Sequence, residues 1–462
     1  MPTILGANSV TGDLITNSLC FNSADSPELT KTFGSAGGDT WSYSCWLKRG
    51  DISEQGHGLL KANSSAGLYF LSTGALVIND DGESAHTSTE LFRDVAAWYH
   101  ILFTGNGTTN KVYVNNSQLT FSGGTPNIGD INSNVAHSIS KSPAGVEYMD
   151  GYLADIHFVD GTEKAPTDFA ETNDNGVWVP IKYTGSYGTN GFHLEFKKTG
   201  TSANAAGIGA DTSGNGNHFA VSNLAATDIG IDTPQNNYCT INSTYADDGN
   251  NMIGADFTEG NRKQLTTVDG WKFSRGTFLL EAGKWYAEVK LTEAGNGQVG
   301  NFGIVPSQGG VTLGNTDDND VFEGLRVSFS SSDTILQKLD TGSGSNIFTD
   351  FASGNTAMLA IDLDNDKIWI GREGTWYNDN NASTTLDASN HDIALPTVSL
   401  GWVFGLGMTR NGSNNITFEY NWGNPSHAIS SGNSDADGHG NFEFAVPSGF
   451  FAVNSKNLAE YG

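Results

Sequence analysis

Apolar and polar residues alternate along most of this chain in short runs, and each run is bounded by Gly, Asn, Asp or Ser. The segments DTWSYSCWLKRG, AGLYFLSTGALVIND, AAWYHILFTG, NKVYVNNSQLTF and DGYLADIHFVDG in the first half read as strands, as do GKWYAEVKL, NFGIVPS, GLRVSFSSS, TAMLAIDLD, DKIWIG, WVFGLGMTR and NITFEYNWG in the second. Within WSYSCWL, Trp41, Tyr43, Cys45 and Leu47 share one face, which predicts that all four are core. Helical periodicity is nearly absent: KAPTDFAETN is too short for more than a surface turn or two. The pattern predicts an all-β chain of two tandem β-sandwiches.

One strand-rich stretch, DLDNDKIWIGREGTWY (362–377), also resembles a calcium loop, with Asp362, Asp364 and Asp366 at positions 1, 3 and 5 of an EF-hand and Glu373 at position 12. The required glycine at position 6 is Lys367, however, and no amphipathic helix flanks the loop. A hairpin explains the residues better. A two-residue type I′ turn at Asn365-Asp366 would set Asp364 against Lys367, Leu363 against Ile368, Asp362 against Trp369 and Ile361 against Ile370, with the apolar pairs on one face. A similar hairpin is expected in FTGNGTTNKVYVNNSQL, where Lys111, Val112, Tyr113 and Val114 play the part of Lys367, Ile368, Trp369 and Ile370.

Between the two halves the texture changes. The segment Gly200 to Ser243 is small, polar and rich in Gly and Asn. Phe219, Leu224, Ile229 and Ile231 would be costly to leave in water, so it is expected to be an ordered connector packing on its neighbours. The expected organisation is an N-terminal arm (1–25), a first sandwich (26–198), the connector (199–246) and a second sandwich (247–462).

Charge narrows the partners. The chain of 462 residues has 51 Asp+Glu against 23 Lys+Arg, a formal net charge of −28, which would be repelled by nucleic acid and by anionic membranes. The N-terminus shows no export signal, no run of apolar residues is long enough to span a bilayer, and a soluble protein is expected. Cys20, Cys45 and Cys239 are far apart, with no CxxC, so neither a disulfide framework nor a zinc knuckle is expected.

These segments resemble known families. The first half is similar to a LamG-type concanavalin A-like domain: WSYSCWLKRG resembles its early core strand, AAWYHILFTGNG its W-H strand with Tyr99 intervening before His100, NKVYVNNSQL its hairpin and GYLADIHFVDG its closing strand. The second half resembles a SPRY domain through GKWYAEVKL and AIDLDNDKIWIGREGTWY. Their order, with DTSGNGNHFAVSNL between them and VPSGFFAVNSKNL at the end, resembles a family of tailed-bacteriophage virion structural or tail fibre proteins. That resemblance implies a virion component made in the host bacterial cytoplasm and assembled with other virion proteins. A homo-oligomer, trimeric if a fibre, would contact host surface polysaccharide. A capsid-decorating protein and a glycan depolymerase are the alternatives.

Catalytic motifs are missing. Neither the E-x-D-x-x-E spacing of retaining glycosidases, nor a G-x-S-x-G elbow, nor H-E-x-x-H occurs, and no catalytic residue is assigned. His157 beside Asp155 reads as a hydrogen-bonded pair on one strand. Two stretches could bind a ligand. Trp376 and Tyr377, in an expected Gly-rich loop, could stack on sugar rings while Asn378 and Asp379 bond hydroxyls. In DTSGNGN, Asp211, Asn215 and Asn217 could hold a structural Ca²⁺ through oxygen, or could simply cap their own backbone. No other cofactor is expected.

Overall fold

In a computed structural model the described residues form two compact units, one built from those up to Asn237 with Thr258–Gly260, the other from those from Tyr238 on apart from Thr258–Gly260. The structure describes residues 14–52, 56–63, 66–80, 86–124, 126–143, 147–244, 255–266, 269–293, 299–307, 323–329, 334–340, 343–348, 351–378, 381–383, 386, 391–410, 412 and 415–462.

The first unit is a β-sandwich of an eight-stranded and a seven-stranded antiparallel sheet. At the centre of the larger sheet the strand Gly151–Asp160 pairs with Thr40–Arg49 on one side and Ser18–Phe21 on the other. Trp41, Tyr43, Cys45 and Leu47 all enter the core, as their alternation predicts, and meet Leu60, Leu68, Leu76 and Ile139 from the smaller sheet. All three cysteines are buried and none is in a disulfide, and burial pushes the Cys45 thiol up to about 12, so it behaves as a small apolar residue.

The boundaries fall elsewhere than the sequence suggests. Ser18–Phe21, from the expected arm, and Ile229–Gly230, from the expected connector, are adjacent strands of the eight-stranded sheet. Ala220–Ser222 joins the edge of the other sheet. Phe219 and Leu224 reach the core of the first sandwich. The connector up to residue 237 is therefore part of that sandwich. A buried ion pair fastens it: Lys48 Nζ lies 2.8 Å from Asp232 Oδ2, with both side chains fully buried. Lys48 also donates to Asn237 Oδ1 at 2.8 Å, and Trp98 Nε1 donates to Asp232 Oδ1 at 3.0 Å.

The second unit is built from a nine-stranded and a six-stranded sheet. Trp285, Val289, Leu359, Ile361, Ile368 and Ile370 pack against Phe302, Ile304, Phe404 and Leu406. The 362–377 stretch is a hairpin, but its turn is longer than the sequence reading: Asp362 pairs with Lys367, Ile361 with Ile368 and Leu359 with Ile370, leaving four residues in the loop. The cause is the Asp362 carboxylate, which accepts from both the backbone N–H (3.1 Å) and the side-chain amide (2.9 Å) of Asn365 and so draws the chain round. Because the shift is an even number of residues, the isoleucines stay on the core face. A two-residue turn of the predicted kind occurs instead at Asn115-Asn116, both at positive φ, where Ser117 pairs with Val114.

Asp366 adopts φ +56°. Replacing it by Gly should raise the stability of the second sandwich by up to about 1 kcal/mol in urea denaturation, since glycine takes that conformation without Cβ strain.

A seven-residue helix, Ser455–Tyr461, closes the chain, and Asn454 caps it by accepting from the N–H groups of Lys456 and Asn457. It is the one α-helix among the described residues.

Candidate functional site

Strand alternation puts Leu359, Ile361, Ile368 and Ile370 into the second core, which turns Met358, Asp362, Trp369 and Gly371 to the outer face of the nine-stranded sheet. Trp376 lies beside them on the next strand, Thr375–Asn378, opposite Gly371. A Cβ at 371 would run first into the methyl of Met358 and would stand 3.0 Å from the Trp376 ring and 3.1 Å from the Thr375 carbonyl oxygen. Here glycine is favoured by close approach, not by a turn.

The C-terminal segment lies over this face and is fastened to it. Glu288 accepts from the backbone N–H groups of Glu443 (3.0 Å) and Phe444 (2.8 Å), from the Tyr286 hydroxyl (2.9 Å) and from the Asn421 amide (3.2 Å). Burial pushes the Glu288 carboxyl up, and these donors oppose the shift. Backbone bonds between Phe451 and both Lys284 and Tyr286 hold the end of the segment.

Between sheet and segment lies a cleft of about 530 Å³, lined among others by Lys284, Asp362, Trp369, Trp376, Phe444 and Phe450. The Lys284 ammonium stands 2.8 Å from Asp362 Oδ2 and 6.0 Å from the centre of the Phe450 ring. Trp369 meets Phe450 edge to face at 6.0 Å. An apolar wall with one charged pair at its edge is the composition of a small-ligand site. Trp369 is 3% exposed and Trp376 5%, so an entering ring would meet their rims, while Lys284, whose side chain is 35% exposed, and the exposed Ser448 are reachable polar groups.

Of the residues the sequence singles out here, the structure places Trp376 in the cleft wall and Tyr377 elsewhere. Neither is on a loop. Successive strand residues point to opposite faces, and Tyr377 packs on the core cluster behind the sheet. The two rings cannot stack on one sugar. Asn378 ends the same strand, paired with Asn381, and Asp379 lies outside the described residues.

The DTSGNGN loop is tied into its own backbone. Asp211 accepts from the N–H groups of His193, Ser213 and Asn217 at 2.8–2.9 Å. Asn215 donates to the carbonyls of Gly188 and Gly191, and Asn217 to those of Thr189 and Gly191. A calcium ion at Asp211 would compete with three backbone donors for the carboxylate.

Strand pairing adds a residue that sequence reasoning missed. The pair Asp155–His157 is present, with Asp155 Oδ2 and His157 Nε2 3.0 Å apart, and His193 joins it from the neighbouring strand at 2.6 Å from Asp155 Oδ1.

Comparison with known proteins bears on the first sandwich. Residues 22–166 match the concanavalin A-like lectin/glucanases superfamily. This unit has a lectin-like fold. Among solved structures the chain is similar to a native heptameric SAP-like pentraxin from Limulus polyphemus, with 16% identity, covering 33% of this chain and 80% of the pentraxin, at a TM-score of 0.26. It is also similar to a protein of Bacteroides ovatus (12% identity, 45% and 58% covered, TM-score 0.34) and to the SPRY domain of human HERC1 (10%, 34% and 87%, TM-score 0.22). The chain thus spans 58% of the Bacteroides ovatus protein's length. No curated protein sequence matches the chain.

Proposed function

We propose that this chain is a non-catalytic glycan-binding protein displayed in many copies on a bacteriophage particle, with the cleft at Lys284, Asp362, Trp369 and Trp376 as its sugar site. The observation that carries the reading is that cleft, where aromatic rims meet the partly exposed Lys284 ammonium, able to bond hydroxyls. The lectin-like fold of the first sandwich supports it, as does the resemblance of the sequence to virion appendage proteins. Among the described residues that line the cleft, Asp362 is the single carboxylate. A retaining glycosidase needs two, about 5–5.5 Å apart, so the lining favours binding over hydrolysis.

A shallow site of this kind binds weakly alone and gains by repetition. Beads carrying many copies should therefore capture bacterial surface polysaccharide that the free chain binds too weakly to detect, and no reducing ends should appear on long incubation. Release of reducing sugar would overturn the non-catalytic part, and failure of the beads to capture any polysaccharide would overturn the glycan part.

A further inference from the structure

The larger sheet of the first sandwich has one local irregularity at its centre. Ala154 pairs with Trp46 and His157 with Ser44, so Asp155 and Ile156 together oppose Cys45 in a β-bulge. Asp155 is at φ +49°, a conformation that non-glycine residues adopt at a cost. The bulge switches alternation: Leu153 before it and Ile156 and Phe158 after it face the core. Asp155 and His157 are left on the outer face together. His193, the direct cross-strand partner of His157, completes the group, and the two imidazoles stack with centroids 4.1 Å apart and planes 14° apart. Both Nε2 atoms converge on one carboxylate.

We propose that Asp155, His157 and His193 form a binding site for a divalent transition metal of the zinc type. Their three ligand atoms all lie within 4.8 Å of one another. A tetrahedral zinc ion holds such atoms roughly 3.3 Å apart, given its usual bond lengths, a spacing that the more exposed His193 ring and Asp155 carboxylate would turn to supply. Two imidazoles and one carboxylate with a fourth position for water is a donor set for zinc and its neighbours rather than for calcium, which prefers oxygen throughout.

The groups behind the rings fit the same use. His157 Nδ1 lies 2.8 Å from the Tyr187 hydroxyl, and His193 Nδ1 lies 3.1 Å from the Thr212 hydroxyl. Hydroxyls both donate and accept, so each ring can carry its proton on Nε2 when metal-free and on Nδ1 when Nε2 takes the metal. Burial fixes His157, whose side chain is 4% exposed, while those of His193 and Asp155, at 18% and 16%, leave a way in. A bulge beside a strained carboxylate is also where strands commonly re-aim side chains for function.

The test is calorimetric titration of the full chain, stripped with EDTA, with ZnCl₂ and separately with CaCl₂. Zinc should bind, and Tm should rise with free zinc. His193→Gln and Asp155→Asn should each weaken zinc binding by about 100-fold or more, and Tyr187→Phe by about 10-fold. Calcium should not displace the zinc. If His193→Gln does not fold, the wild-type protein loaded with Co²⁺ decides: the intense visible bands of tetrahedral cobalt support the site, and the faint bands of six-coordinate cobalt overturn it. No zinc binding by the wild type, or undiminished binding by folded His193→Gln, also overturns it.

Discussion

Asp232→Ala should destabilise the first sandwich by about 3–5 kcal/mol, the cost of leaving one member of a buried ion pair without its partner. The Lys48 ammonium it faces is fully buried. In the variant that charge would keep the Asn237 oxygen, a dipole in place of a full negative charge, and the Trp98 indole N–H would lose its acceptor as well. The loss should appear in urea denaturation as a lower midpoint with an unchanged slope. The double variant Lys48→Met/Asp232→Leu should recover most of it, because an apolar pair of similar volume needs no charge compensation. A single variant losing less than about 1 kcal/mol would show that the connector is not held by this pair.

Trp376→Ala should cost about 3–5 kcal/mol in the second sandwich, the usual range for emptying a buried indole site. The ring is 5% exposed, packs edge to face on Tyr286 at 6.2 Å and lies close over Gly371. The opening would enlarge the cleft wall, so glycan capture should fall along with the melting temperature. Tyr377→Ala should lower stability through the opposite face and leave capture by the folded protein unchanged. Loss of capture without loss of stability in Trp376→Ala would mean that the indole serves the ligand alone.

Much of the fold was legible because strand alternation is a local signal. WSYSCWL places its four core residues correctly, and the isoleucines of DKIWIG face inward even though the turn before them is two residues longer than expected. The turn length depended on a side chain, Asp362, capturing Asn365, which residue preferences alone do not reveal. The boundaries were misplaced for a related reason: Ser18–Phe21 and Ile229–Gly230 are strands only because distant segments pair with them. Composition sees in them a short arm and a polar linker. The Ser455–Tyr461 helix had a signal in its Asn454 cap, but seven residues carry too little periodicity to stand out.

The candidate sites divide along the same line. Trp376 was marked by its aromatic character, yet Gly and Asn around it suggested a loop, and in a strand its neighbour Tyr377 must face away. The partner of Asp155 and His157 lay 36 residues beyond His157, and only the register of Phe192–Leu194 against Gly151–Asp160 brings His193 to it.

The central claim is that the cleft of the second sandwich holds sugar, and Lys284 is where it is most directly tested. The Lys284 side chain is 35% exposed but that of Asp362 only 5%, and Asp362 keeps both Asn365 donors, so Lys284→Met should cost about 1–3 kcal/mol and leave the chain folded. A charge-assisted hydrogen bond to a sugar hydroxyl is worth about 1.5–3 kcal/mol, so polysaccharide captured by wild-type beads should be held about 10- to 100-fold more weakly by Lys284→Met beads of equal loading. If the folded variant, assayed well below its own melting temperature, captures the same polysaccharide equally well, the cleft is not the site.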